Sequence, residues 1–159
     1  MRIKFLRGTC THLSYLVQWV LKTKGPVLEL GIGFGSTPTL HELCHGRQLV
    51  SYESSDYYYH GFRDFQTEDH KIILVDDWDK IPIEMPWSLA FVDCSPTMQR
   101  REMVLRLKPW ADYIIIHDTE RRANRHFHVR ELFPSFKYRC SYKALTPHTT
   151  ILSDKYPVL

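Results

Sequence analysis

The segment Val27-Leu28-Glu29-Leu30-Gly31-Ile32-Gly33-Phe34-Gly35-Ser36-Thr37-Pro38 constrains this chain more than any other. An apolar run of strand formers stops at three glycines, and Ser-Thr-Pro then opens a helix. A strand, a glycine turn and a helix in that order form the unit at which an open α/β sheet binds a nucleotide-like ligand. Gly31 and Gly33 let the backbone turn tightly and come close to a ligand, because no Cβ intervenes. Two acids sharpen the pattern: Glu29, inside the apolar run, and Glu53, at the end of the next one.

The rest of the chain repeats this alternation. Thr11 to Lys24 has leucines and valines at helical spacing, with Thr11 as its candidate cap and Gly25-Pro26 as its stop. Strands are predicted at Val27–Leu30, Leu49–Glu53, Lys71–Val75, Ser88–Val92 and Tyr113–Ile116. Helices are predicted from Thr37-Pro38 to Cys44, within Ser54–Phe65, over Thr97–Leu107 and after the basic segment Glu120–Arg130. Tyr138–Ala144 and Thr149–Leu152, around Thr146-Pro147-His148, read as a terminal hairpin. The early strands are continuous apolar runs, as in a parallel sheet covered on both faces. The expected fold is α/β: a Rossmann-like, doubly wound, seven-stranded sheet, mostly parallel with a C-terminal antiparallel hairpin. One domain spanning residues 1–159 suits the length.

Bulk properties narrow the classes further. No apolar run approaches the roughly 20 residues that span a bilayer, so no membrane partner is expected. Met1–Arg7 is basic but lacks a long apolar stretch, which argues against a signal peptide. Cys10, Cys44, Cys94 and Cys140 are scattered and form no CxxC pair, which fits a reducing, cytoplasmic setting rather than a zinc or disulfide framework.

Glu29-Leu30-Gly31-Ile32-Gly33-Phe34-Gly35-Ser36-Thr37-Pro38 and Glu53 resemble motif I and the ribose-binding acid of class I S-adenosylmethionine (SAM) dependent methyltransferases. Phe91-Val92-Asp93-Cys94-Ser95-Pro96 with Arg100-Arg101, and Ile116-His117-Asp118-Thr119-Glu120, resemble motifs of a small, poorly characterised group within them. Phe136-Lys137-Tyr138-Arg139 with Thr149-Thr150 is similar to that group's last hairpin, whereas Cys94 stands where the group often has His. The resemblance implies that Glu29, Gly31, Gly33, Gly35, Ser36 and Thr37 hold the cofactor, that Glu53 accepts both ribose hydroxyls, and that Asp77 or Trp78 meets the adenine. Glu29 either orders the loop or reaches the cofactor's amino group. Asp93 faces the methionine moiety or the acceptor.

The residues carry their own chemistry beside the resemblance. The dinucleotide fingerprint wants a third glycine where Ser36 stands, and the Ser-Thr helix start suits a ligand without a pyrophosphate, so SAM is favoured over NAD(P). His117 and Asp118 close the fifth strand, where His117 is a candidate base and Asp118 its orienter or the base itself. Asp93 and Asp118, with Glu120 as a third ligand, are a thin candidate Mg²⁺ set. Arg100 and Arg101, then Arg121, Arg122 and Arg125, place cations on the rim, which suits a small anionic acceptor bound by Arg101, Arg121 and Arg122, or a nucleic acid backbone. Either reading competes with a plain solvated basic face. The expected activity is methyl transfer to oxygen or nitrogen of a small anionic, sugar- or phosphate-bearing acceptor. The alternatives are a SAM- or nucleotide-binding module without chemistry, and an NAD(P)-linked oxidoreductase. With no appended substrate domain, a second copy of the chain is a candidate to complete the acceptor pocket.

Overall fold

The computed structural model describes residues 10–158. The basic segment Met1–Arg7, read above for a leader, lies outside them. The elements in order are α1 (Leu13–Lys22), β1 (Val27–Leu30), α2 (Ser36–Leu43), β2 (Leu49–Glu53), α3 (Asp56–Phe62), β3 (His70–Leu74), β4 (Leu89–Val92), α4 (Gln99–Leu107), β5 (Ile114–Ile116), α5 (Arg121–Phe127), β6 (Tyr138–Tyr142) and β7 (Thr149–Ser153). Short 3-10 turns at Arg63–Phe65, Trp78–Lys80 and Val129–Ser135 fill the connections.

The seven strands form one sheet in the order β3-β2-β1-β4-β5-β7-β6. β1 to β5 run parallel, and β7 pairs antiparallel with both β5 and β6. The order reverses where β1, flanked by β2, also pairs with β4. That reversal leaves a crevice beyond the carboxyl ends of β1 and β4, the place where open α/β sheets bind ligands.

Strand side chains alternate between two cores. Leu28, Leu30, Val50, Tyr52, Ala90, Val92, Ile114 and Ile116 face α4 and the Trp78–Lys80 and Val129–Ser135 turns. Val27, Leu49, Leu89, Phe91 and Ile115 face α1 and its neighbour α2. Both faces are therefore buried, which is why these strands read as unbroken apolar runs.

Boundaries through β5 lie within three residues of the expected ones, whereas the helix expected after Glu120–Arg130 forms inside that segment, as α5. The candidate cap Thr11 is not used as one: His12 stands at the N-terminal position of α1, with no side-chain cap there. The Thr11 hydroxyl instead meets the Pro147 carbonyl and His117. After α5, Val129–Ser135 forms a 3-10 turn with Pro134 inside it.

Candidate functional site

Gly31 occupies the left-handed region at φ +95, and a Cβ there would lie 2.6 Å from the carbonyl carbon and oxygen of Asp93. The turn after β1 and the end of β4 thus press backbone on backbone, which only glycine permits. Gly33 differs: a Cβ there would meet only Ser36 Oγ, at 3.5 Å, so the outer side of the loop stays open to a ligand. The Gly33 N–H donates to Thr37 Oγ1 at 3.0 Å, and Thr37 donates to Glu29 Oε1 at 3.0 Å. Ser51 donates to Glu29 Oε2 at 2.6 Å and contacts His70, which in turn meets His41. Glu29 is fully buried, and that burial lifts its carboxyl to about 7 despite the hydroxyl donors around it. Of the two roles open to Glu29, these contacts perform loop ordering: both oxygens hold hydroxyls beneath the turn.

Glu53 ends β2 with a buried carboxylate. Oε2 accepts the Ile32 N–H and Oε1 the Ser55 N–H, each at 2.7 Å. A carboxylate offers about four acceptor positions, so one per oxygen remains for a pair of hydroxyls. That is the arrangement a ribose diol requires, and with the open side of Gly33 it is where the residues present fit SAM. Phe34 rises from the same loop, two-thirds exposed, with its ring 5.2 Å from that of Phe62 on α3. Beyond β3, Asp77 stays at the rim, capping the next turn and pairing with Lys80 at 2.9 Å. Trp78 turns inward and donates its indole N–H to the Ser95 carbonyl at 2.9 Å. Asp77 is therefore the rim residue of that pair, and Trp78 belongs to the core.

The ends of β4 and β5 are tied by Arg100, which the sequence reading had placed on the open rim. It is buried, 4% exposed, and every arm of its guanidinium is engaged. Nε donates to the Cys94 carbonyl, Nη1 to Asp118 Oδ2 at 2.9 Å, and Nη2 pairs with Asp93 Oδ1 at 2.8 Å. The cation bridging Asp93 and Asp118 is thus a guanidinium, in the place a Mg²⁺ shared by the two would need. Glu120, the third ligand of that set, instead accepts the His148 N–H. Cys94 is fully buried, and burial pushes its thiol up to about 12.

His117 lies between these carboxylates and α1. Thr11 Oγ1 donates to the Pro147 carbonyl at 2.7 Å, so at its 3.0 Å contact with His117 Nε2 it can only accept. His117 Nδ1 faces Asp93 Oδ2 at 3.3 Å and Asp118 Oδ1 at 3.6 Å. Acceptors on both sides draw a proton onto each nitrogen. Burial opposes that charge, but Asp93 and Asp118 outweigh it and hold His117 above the ordinary imidazole range. In this arrangement His117 keeps no lone pair for an acceptor's proton. Asp93 titrates low for the complementary reason: burial would raise it, and His117 and Arg100 more than reverse that. Asp118 itself adopts a left-handed backbone at φ 57, a strained conformation for a residue with a Cβ and one that gathers at functional positions.

His12, which the sequence reading passed over, completes the cluster. It precedes α1, is 3% exposed, and packs edge-on against His117 with ring centroids 4.6 Å apart. Burial first, and then the neighbouring His117, lower it to about 4. No periodicity marks such a residue, because its position depends on how α1 folds back over β4 and β5. Among the basic candidates, Arg121 and Arg122 are exposed at the start of α5, and Arg101 is half-buried and pairs with Glu102 at 3.0 Å.

No family model and no curated protein sequence matches the chain. Solved structures do. An O-methyltransferase from Thermotoga maritima, SAM-dependent, superposes with a TM-score of 0.72 at 9% identity, over 99% of this chain and 70% of that one. Magnesium protoporphyrin IX methyltransferase from Synechocystis PCC 6803, solved with bound SAM, gives 0.60 at 15% identity over 88% and 76%. Human methyltransferase 10 domain containing protein gives 0.64 at 12% identity over 97% and 88%. Likeness at such identities shows the fold alone, a Rossmann-like, mostly parallel seven-stranded sheet that these methyltransferases share.

Proposed function

We propose that this chain is a SAM-dependent methyltransferase acting on an oxygen or nitrogen of a small, anionic acceptor. One observation carries the reading: the glycine turn after β1 is held over a buried acid, Glu53, at the end of the neighbouring strand, with one acceptor position per carboxylate oxygen left for a diol. The fold shared with methyltransferases, one of them solved with SAM, supports it. Bound there, SAM would supply an electrophilic methyl group on a sulfonium, for a displacement by the acceptor's lone pair in which sulfur keeps the carbon–sulfur electrons and the acceptor gives up its proton.

The chain's own residues position the partners and receive that proton. Glu53, Gly31 and Gly33 fix the cofactor side, Glu29 and Thr37 hold the turn rigid, and Asp77 stands on the adenine side. Asp118 Oδ1 takes the proton: Arg100 anchors the other oxygen, and the carboxylate sits on the rim at the end of β5. His117, cationic between two carboxylates, orients them. Arg101, Arg121 and Arg122 draw an anionic acceptor to the same edge. Positioning of this kind supplies the larger part of such a rate enhancement, because the sulfonium is already a good leaving group.

Thermal unfolding with SAM, S-adenosylhomocysteine, NAD⁺ and NADP⁺ tests the reading. Stabilisation follows RT ln(1 + [L]/Kd), about 2.7 kcal/mol at a hundredfold excess over Kd. The first two ligands should raise the midpoint and the last two should not. The reverse pattern would make the chain a dinucleotide enzyme.

A further inference from the structure

We propose that His12, Asp93 and His117 form a binding site for one divalent transition-metal ion of the zinc, cobalt or iron(II) class. The three residues come from separate parts of the chain, ahead of α1 and at the ends of β4 and β5, yet their ligand atoms all lie within 4.8 Å of one another. Metal bonds of about 2.0–2.1 Å put ligand atoms roughly 3.4 Å apart, so small side-chain rotations close the set.

His12 gives the independent observation. It is almost fully buried, it points into this cluster, and neither ring nitrogen has a hydrogen-bond partner. A buried polar group left unpaired is expensive, and native proteins rarely keep one without a use. Ligation gives one nitrogen its partner.

The surroundings are those of a metal site. Thr11 already donates to Pro147, so it accepts Nε2–H from His117 and leaves Nδ1, the nitrogen facing Asp93 Oδ2, as the ligand atom. An ion takes the place of the proton held between that pair. Arg100 grips Asp93 Oδ1 and so turns Oδ2 towards the ion. Hydrogen bonds of this type to the far side of His117 and of Asp93 are the kind that orient metal-binding histidines and carboxylates. Two imidazoles and one carboxylate select a transition ion rather than Mg²⁺ or Ca²⁺, which take oxygen ligands. Three protein ligands leave a coordination position open, next to Asp118. A role for the ion in polarising an acceptor hydroxyl there rests on the transferase reading; the site itself does not.

The test is a Co(II) titration of the full chain, stripped with a chelator and carrying no histidine tag, followed by visible absorption. We expect one ion per chain, the strong d–d bands of four or five coordination, and displacement by Zn(II). His12→Ala should weaken binding by about a hundredfold or more, and Thr11→Val by about tenfold through misorientation of His117. His45→Ala, an exposed histidine elsewhere, should change nothing. S-adenosylhomocysteine binding, measured on each variant, reports that the crevice is folded and keeps the two claims apart: metal binding without cofactor binding removes the transferase reading and leaves the site. If His12→Ala does not fold, Thr11→Val and the wild-type spectrum decide. A pale six-coordinate spectrum in wild type, or equal affinity in wild type and His12→Ala, overturns the proposal.

Discussion

Glu29 shows how one side chain couples the loop to pH. Its carboxyl titrates near 7 in the folded chain, raised by burial from an ordinary value near 4.5. Between those values the unfolded chain loses its proton first. The contribution to stability is therefore complete below the unfolded value and lost as pH rises through about 7. The shift corresponds to roughly 3 kcal/mol. Going from pH 5 to pH 8, wild type should lose roughly 2–3 kcal/mol relative to Glu29→Gln in urea unfolding. His70, lowered by burial to about 4, pushes the other way in both proteins and largely cancels in that difference. Parallel pH profiles would contradict the assignment. Gly31 has a simpler prediction. A Cβ at φ +95 collides with the Asp93 backbone, so Gly31→Ala should cost roughly 3 kcal/mol in the same assay; an unchanged midpoint would show that the two backbones are not pressed together. Gly31 and Glu53 were legible in the sequence because glycine turns and acids at strand ends follow from local order. His12 and the inward Arg100 were not, because each finds its partners more than four residues away in sequence.

At the scale of elements, Arg100 joins α4 to the ends of β4 and β5. Replacing it by Met leaves Asp93 and Asp118 without the guanidinium that bridges them, with only His117 between them. Breaking a buried ion pair from one side typically costs about 3–5 kcal/mol. Arg100→Met should lose about that much stability, while Arg100→Lys should recover part of it; a near-neutral Arg100→Met would mean that the strand ends are held by packing alone. The start of α5 is the opposite case. Arg121 and Arg122 are exposed, so the double alanine variant should change stability by no more than about 0.5 kcal/mol. It should raise KM for an anionic acceptor with kcat little altered, and a selective fall in kcat would instead place these arginines at the reacting atoms. The strands were read closely in position because continuous apolar runs have one common use. The cap of α1 was misread because Thr11 is a good helix-start residue by type, and only the tertiary fold shows Pro147 and His117 as its partners.

Over the whole molecule, the alternation of apolar runs with helical segments was enough to anticipate a doubly wound sheet with a terminal antiparallel hairpin. The strand order β3-β2-β1-β4-β5-β7-β6 places β1 between β2 and β4, where the order reverses. What the alternation does not encode is how the loops at one edge of the sheet lean on one another. Gly31 against Asp93, Glu53 beneath Ile32, and Trp78 with Ser54 on the Ser95 carbonyl make the carboxyl edge a single braced surface. The central claim is that this surface holds SAM through Glu53. Isothermal titration calorimetry with S-adenosylhomocysteine, on wild type and on Glu53→Ala, tests it most directly. The account predicts micromolar binding to wild type that disappears in Glu53→Ala. No binding to wild type, or equal binding to both proteins, would contradict it.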